Sequence, residues 1–317
     1  MAIQDGIYVA SMSVLNDNLS LNSEQTLLHA EKLISLGATG VILGGSTGMS
    51  QNLSNQCKMN LINQASKSSQ NKQIIIGPGT NSLLDTAKLI NYAKSKNLKR
   101  FLVMPSAYGW SSIKNKEEAV YAYFSELLNR VNQCELIIYN FSKLSQMDFT
   151  VEMVEKLVKD YPDTFIGLKD SGNDNLFEKI QIKNFKVYLG SEKKLLPSLK
   201  RGCAGLISAT VNSHFQLNLA KKVFEDFKKG KDSEHNEQLI KVRSVFDSFN
   251  LIEGLHTLHA QKNPIYKNIL PPLRLLNEKD KIKLFSELGK LNFILRLKLC
   301  YLQDYYLKYL IKRTELF

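Results

Sequence analysis

The sequence predicts a (β/α)8 barrel followed by a C-terminal helical extension, and three observations lead to this fold class. Short apolar, β-branched runs alternate with amphipathic helical segments up to about residue 230, and eight such runs can be counted. The runs are apolar throughout, which is typical of parallel strands covered on both faces. No Gly-x-Gly-x-x-Gly motif follows the first run, which counts against the competing open sheet of a dinucleotide-binding fold.

The predicted strands span residues 7–10, 40–43, 74–77, 100–104, 136–139, 165–168, 187–190 and 205–208. Helices are predicted between them. In the first, residues 23–36, Leu27, Ala30, Leu33 and Ile34 share one face. Ser82 is a plausible N-cap for a helix from Leu83.

After residue 230 the strand signal ends, and helices are predicted over 235–258, 278–291 and 293–312. Pro264 and the Pro271-Pro272 pair separate them. We therefore expect a barrel over residues 1–230 and a helical extension over residues 231–317 packed on it.

The composition is that of a globular protein. The 317 residues are 44% hydrophobic and 23% charged. The first six residues lack the basic and apolar regions of a signal peptide, and the apolar runs stop short of the roughly 18 residues of a membrane span. A cytoplasmic protein that does not act on membranes is expected. The four cysteines form no Cys-x-x-Cys pair, so neither a metal finger nor a disulfide scaffold is expected.

The formal net charge of +12 could attract nucleic acid, an anionic membrane or acidic substrates. The lysines are scattered over helical segments, and the densest cluster, at residues 228–231, is a short helix end. We interpret the charge as a solvated surface and expect no nucleic-acid partner.

Active sites of such barrels lie at the carboxyl ends of the strands, so the polar residues that end the strands are the candidates for a functional site. The second strand ends in Gly44-Gly45-Ser46-Thr47-Gly48, where backbone amides and two hydroxyls could hold a carboxylate. An ordinary tight turn is the alternative for this segment.

Two further strand ends bear side chains suited to catalysis. The fifth ends in Tyr139, a phenol that could relay a proton or be a half-buried aromatic. The sixth ends in Lys169, where burial would disfavour the ammonium and free the amine to attack a carbonyl. A salt bridge to Asp170 is the alternative for that lysine.

These motifs resemble those of the dihydrodipicolinate synthase / N-acetylneuraminate lyase family. The resemblance rests on Gly45-Ser46-Thr47-Gly48, Tyr139-Asn140, Gly167-Leu168-Lys169-Asp170, Gly190-Ser191-Glu192 and Gly205-Leu206-Ile207-Ser208-Ala209-Thr210, in the family's order and spacing. It implies a class I aldolase or lyase that acts on a pyruvate-type 2-keto acid, without a cofactor or metal, and a homotetramer or homodimer.

The resemblance also implies roles for single residues. Lys169 would form a Schiff base with the keto acid, and Tyr139 would shuttle protons. Ser46 and Thr47 would bind the substrate carboxylate and relay protons, beside Gly48. Two more substrate-binding positions, Gly190 and Ile207, would line the pocket.

Several departures from the family pattern narrow the substrate class. Met49 stands where the family commonly has Glu, a change found in keto-deoxy-sugar-acid aldolases. Leu144 stands where dihydrodipicolinate synthases have an arginine for the second substrate's carboxylate, and Ser142 replaces a proline. Tyr108 is displaced from the position of their strand-four tyrosine pair. A keto-deoxy sugar acid is therefore favoured over pyruvate plus aspartate semialdehyde, which remains the alternative.

Other functions stay open. A non-catalytic member of the family would bind a keto acid without turnover, and the net charge alone suggests a nucleic-acid-binding protein. The joint presence of Lys169, Tyr139, Ser46 and Thr47 favours catalysis. His256 and His259 are three residues apart on a predicted helix, but no carboxylate has complementary spacing, so we expect no metal site.

Overall fold

The computed structural model describes residues 3–172, 177–291 and 293, and its eight strands close into one parallel barrel in chain order. The strands are β1 (Gly6–Ala10), β2 (Gly40–Leu43), β3 (Ile74–Ile76), β4 (Arg100–Val103), β5 (Glu135–Asn140), β6 (Phe165–Asp170), β7 (Lys186–Leu189) and β8 (Gly205–Ser208). Pairing of β1 with β8 closes the barrel. The predicted (β/α)8 fold class is confirmed.

Helices surround the barrel and continue beyond it. They are α1 (Ser23–Ser35), α2 (Asn55–Ala65), α3 (Leu83–Ser95), α4 (Lys116–Val131), α5 (Ser142–Ser145), α6 (Val151–Asp160), α7 (Leu195–Lys200), α8 (His214–Lys228), α9 (Asn236–Phe246), α10 (Leu251–Ala260) and α11 (Glu278–Lys290). Local capping explains several starts. For example, the Ser82 side chain accepts from the Asp85 amide at the start of α3.

The C-terminal part differs from the prediction in one respect. The prediction of a single helix over 235–258 is wrong, because α9 ends at Phe246 and α10 begins at Leu251. The Asn250 side chain accepts hydrogen bonds from the amides of Ile252 and Glu253, which starts a new helix at this point. The helix predicted over 293–312 lies outside the described residues except for Phe293. The division into two units at residue 230 stays a prediction.

The core has two layers, one inside the barrel and one between the strands and the helices. The inner layer includes Tyr139, Tyr188 and Ile207, whereas their chain neighbours Ile138, Leu189 and Leu206 belong to the outer layer. This alternation follows from the two-residue period of a strand. Within the described residues, no helix is both long and apolar enough to cross a membrane.

Candidate active site

Lys169 lies at the carboxyl end of β6 with its side chain directed into the barrel. Its register partners on the neighbouring strands are Tyr139 and Tyr188, both of which belong to the inner layer. The lysine is 4% exposed, and its Nζ lies 4.2 Å from the centroid of the Tyr139 ring. Direct pairing in the β5–β6 register therefore brings the two predicted catalytic side chains together.

Asp170 follows Lys169 but belongs to the other face of the sheet, because successive side chains of a strand point to opposite faces. Its Oδ1 accepts a hydrogen bond of 2.9 Å from Asn140 Nδ2 and another of 2.9 Å from the Gly172 amide. These bonds join the ends of β5 and β6. Asp170 thus helps to hold the two strand ends that present Tyr139 and Lys169.

The Tyr139 hydroxyl reaches across the barrel to the segment after β2. It lies 3.0 Å from Ser46 Oγ, within hydrogen-bond distance. Ser46 begins a 3-10 turn, Ser46–Gly48, that also contains the buried Thr47. The hydroxyl bonded to the phenol is therefore that of Ser46, and Thr47 lies beside it in the same turn.

The backbone of this turn requires small residues. Gly44, which precedes it, has φ +73°, a conformation that favours glycine. The Gly48 carbonyl accepts a 2.7 Å hydrogen bond from the Ser13 hydroxyl. A Cβ on Gly48 would lie 2.9 Å from Ser13 Oγ. The turn is thus held against the segment after β1, with its backbone close to neighbouring chain.

The two predicted lining positions, Gly190 and Ile207, lie at the ends of β7 and β8. Ile207 is fully buried in the inner layer. The Gly190 amide donates a 2.6 Å hydrogen bond to the Asp170 carbonyl, and a Cβ at position 190 would overlap with Ser171 Oγ. Gly190 therefore allows the end of β7 to approach the end of β6 closely.

An open crevice enters the mouth on the side of β2 to β5. Its lining includes Ser46 and Tyr139, with Gly79 and Thr80 from the loop after β3 and Met104 after β4. A larger cavity of about 670 Å³ lies at the amino-terminal ends of the strands. Active sites of this fold lie at the carboxyl ends of the strands, so the crevice, and not the larger cavity, lies at the end where the predicted site residues gather.

Sequence reasoning missed Lys58, a second buried lysine. It is 5% exposed, and its Nζ donates a 2.7 Å hydrogen bond to the Gly79 carbonyl in the crevice lining. Burial lowers the pKa of Lys58 to about 8, and the charge of Asp85 opposes this shift. The sequence does contain a signal for the burial of Lys58, because this residue lies on the same helical face as Leu61, Ile62 and Ala65.

The two late histidines lie in a cluster of aromatic and polar side chains. His256 is buried and His259 is partly buried, and both lie with His29, Tyr266 and Asn212 in what we call the histidine cluster. Over residues 3–172, 177–291 and 293, no group of His, Cys, Asp or Glu side chains is arranged to hold a metal ion. The cluster belongs to the packing between α1 and α10.

This chain is similar to known proteins of one family. The model of the Dihydrodipicolinate synthetase family matches residues 4–290. A 4-hydroxy-tetrahydrodipicolinate synthase of Methanopyrus kandleri is 26% identical over 304 residues, 92% of this chain and 97% of the relative. A protein of the same name from Methanosphaera stadtmanae is 26% identical over 220 residues, 66% of this chain and 71% of the relative.

Two solved structures show the same fold. One is a prophage protein of E. coli K12 from the dihydrodipicolinic acid synthase family, in complex with pyruvate. It has a TM-score of 0.82 at 20% identity and covers 92% of this chain and 100% of its own. The other is 2-keto 3-deoxygluconate aldolase from Picrophilus torridus, with a TM-score of 0.75 at 21% identity, 86% of this chain and 98% of its own.

Proposed function

Because the chain belongs to the dihydrodipicolinate synthetase family, whose members are class I aldolases and lyases acting on pyruvate, we propose that it binds a 2-keto acid as an imine on Lys169. The observation that carries the proposal is the position of the Lys169 amine, buried at the barrel mouth and 4.2 Å from the Tyr139 ring centroid. A buried amine at the end of a barrel strand is suited to attack a carbonyl.

The proposed reaction starts when the neutral Lys169 amine adds to the C2 carbonyl of the keto acid and water leaves. In the cleavage direction the C3–C4 bond breaks, and its electron pair moves to C3 and into the protonated imine, which becomes an enamine. The C4 hydroxyl loses its proton and becomes an aldehyde. Protonation of the enamine at C3 and hydrolysis of the imine then release pyruvate and the free amine. Condensation is the same sequence in reverse.

Tyr139 is the proposed carrier of these protons. Its hydroxyl is within 3.0 Å of Ser46 Oγ, so a proton can pass along a hydroxyl pair that spans the mouth. Thr47 and Gly48 belong to the same turn, and we assign the keto-acid carboxylate to this segment. Backbone amides of a glycine-containing turn and hydroxyl donors suit an anion.

For the substrate beyond the keto-acid end, we propose a keto-deoxy sugar acid. Leu144 is 38% exposed on α5, and an alkyl side chain there cannot make the charge-assisted contact of an arginine with a second carboxylate. Condensation of pyruvate with aspartate semialdehyde is the second candidate, supported by the names of the relatives from Methanopyrus and Methanosphaera.

Borohydride reduction in the presence of pyruvate, followed by mass spectrometry of the digested protein, tests the imine. We expect a pyruvate-derived adduct on the peptide that contains Lys169, and none in Lys169→Ala. Parallel incubations with 2-keto-3-deoxygluconate, or with pyruvate and aspartate semialdehyde, separate the two substrate classes. An adduct on Lys58, the other buried lysine among the described residues, would contradict the assignment, as would turnover in Lys169→Ala.

The homotetramer or homodimer and the cytoplasmic location remain proposals. In support of an oligomer, Leu84, Tyr108 and Leu144 are exposed by 60%, 87% and 38% on segments that follow the neighbouring strands β3, β4 and β5. Large apolar side chains exposed in one region are typical of an interface. Light scattering would give the mass, and a monomer at micromolar concentration would contradict the proposal.

A further inference from the structure

Arg243 lies on α9, the first helix after the barrel, and its side chain is largely buried despite its charge. Its side chain is 11% exposed, and its Nη1 lies 2.7 Å from Oε2 of Glu192, which is fully buried. Glu192 begins the 3-10 turn that follows β7, and its Oε1 also accepts a hydrogen bond from the Thr210 hydroxyl after β8. The ion pair therefore joins the C-terminal helices to the ends of two barrel strands.

The same guanidinium contacts both strand ends directly. Its Nη1 lies 3.2 Å from the Ser208 hydroxyl at the end of β8 and 3.5 Å from the Gly190 carbonyl after β7. Ser208 has the same parity on β8 as Leu206, which belongs to the outer layer, whereas Ile207 faces inward. Arg243 thus holds these strand ends from outside the barrel.

A second ion pair fixes the guanidinium itself. Arg243 Nε lies 2.7 Å from Oδ1 of Asp247, and Asp247 Oδ2 lies 2.7 Å from Nζ of Lys193, the residue after Glu192. The charges of Glu192 and Asp247 neutralise Arg243 and Lys193, so this group is poorly suited to capture a substrate anion. Its contacts suit a positioning role instead.

We propose that Arg243 is a positioning residue for the imine chemistry. It fixes Gly190 and Ile207, the proposed walls of the keto-acid pocket, relative to Lys169. The connection is short, because the Gly190 amide donates to the carbonyl of Asp170, the residue after Lys169. Reactions that depend on a near-attack geometry can lose about 100-fold in rate when a group moves by about 1 Å. The inference rests on the proposed imine function.

The test uses Arg243→Gln, Arg243→Lys and a control on the same helix, Lys241→Gln. Lys241 pairs with Glu237, and both side chains are exposed, by 56% and 78%. The readouts are the rate constant of borohydride-trapped pyruvate at saturation and the pyruvate concentration that gives half of the maximal rate. Hydrogen exchange of the peptide over residues 186–195 is measured on the same proteins.

For Arg243→Gln we expect the saturated rate constant to fall by about tenfold or more. The half-saturating pyruvate concentration should change less than about twofold, because the carboxylate is assigned to the turn after β2. Exchange over 186–195 should become faster. Arg243→Lys, which keeps the charge but loses the planar fork, should restore part of the rate, and Lys241→Gln should match the wild type.

Arg243→Gln leaves Glu192 as a buried unpaired charge and could fail to fold for that reason. The double variant Glu192→Gln/Arg243→Gln then replaces it. We expect the same result from it, namely a lower saturated rate constant with little change in the half-saturating pyruvate concentration. An unchanged trapping rate in the folded variant overturns the proposal. If the wild type traps no keto acid, the proposed function fails. In that case hydrogen exchange is the remaining test of the positioning role of Arg243. If exchange over residues 186–195 is the same in Arg243→Gln and the wild type, the positioning role is overturned as well.

Discussion

Acidification should destabilise this protein through the histidine cluster, in which both ring nitrogens of His29 have hydrogen-bond partners. Asn212 Nδ2 donates to the carbonyls of Ala10 and Ala209, so its Oδ1 is the acceptor for His29 Nε2 at 2.9 Å. The His29 Nδ1 lone pair then accepts from the Tyr266 hydroxyl at 2.8 Å. These partners hold the imidazole neutral, and a proton added to it would be buried.

The pKa values of the other two imidazoles of the cluster, those of His256 and His259, are lowered as well. Burial lowers the pKa of His256, partly offset by its hydrogen bond to the Tyr266 carbonyl, and burial with the neighbouring histidines holds the pKa of His259 well below 6.5. Charges that face the cluster from α1 and from the end of α10 are Lys32 and Lys262. Both are cations, so they add to the cost of a buried imidazolium.

Protonation of His29 by itself accounts for a sizeable loss of stability in acid. Burial lowers its pKa from 6.5 to about 4, with Asn212 opposing and His256 and Lys32 assisting. Between these values the unfolded chain binds more protons than the folded protein, so the free energy of unfolding falls as pH falls. Stability from this source is complete above pH 6.5. A shift from pH 7 to pH 4.5 should remove about 2 kcal/mol through His29 alone.

Urea denaturation at the two pH values, followed by the fluorescence of Trp110, measures this loss. Trp110 is the one tryptophan in the sequence and is 4% exposed. His29→Gln should be less stable than the wild type at pH 7, but the difference should shrink by about 2 kcal/mol at pH 4.5. His235→Gln, which removes a partly exposed imidazole outside the cluster, is the control. A constant difference between wild type and His29→Gln would refute the reasoning.

Further outcomes follow from the site. Tyr139→Phe should lower kcat by roughly 10²–10³ with a smaller change in KM, and equal rates would mean that another group moves the proton. Ser46→Ala, which removes the partner of the Tyr139 hydroxyl, should lower kcat by about tenfold, and no change would remove Ser46 from the relay. Leu144→Arg should raise condensation of pyruvate with aspartate semialdehyde by at least about tenfold over any trace activity, and high activity in the unmodified protein would contradict the substrate assignment. Because the folded pKa of Lys58 is about 8 against 10.5, the free energy of unfolding should rise with pH between these values, and Lys58→Met should lack this rise in denaturation experiments.

The barrel could be predicted because its signals are local and repeated. Eight apolar runs gave eight strands, with bounds close to those observed, since strands covered on both faces need continuous apolar sequence. The single helix predicted over 235–258 was wrong because the segment between α9 and α10 is mostly polar and contains neither proline nor glycine. Asn250 caps α10 with its side chain, and its sequence context resembles an ordinary polar position of a long helix.

The candidate site could be proposed from the sequence as a set of residues but not as a geometry. Strand ends identified Lys169, Tyr139 and Ser46, because barrel active sites gather at one end. The contact of Lys169 with the Tyr139 ring depends on the β5–β6 register, which has an irregularity between Leu136 and Ile137 that no local pattern specifies. Likewise, the choice of Ser46 over Thr47 as the partner of the phenol follows from the turn conformation after β2.

Lys58 and Arg243 show why buried cations on helices are hard to predict from sequence. Both lie on the buried face of their helix, yet a cation in an amphipathic helix is normally assigned to the solvent side. In this barrel each donates toward a glycine carbonyl in a loop at the mouth, Gly79 after β3 and Gly190 after β7. These strands lie on opposite sides of the closed sheet. The helical layer therefore supports the mouth from two sides through long cationic side chains, so the charge of +12 is not wholly a solvated surface.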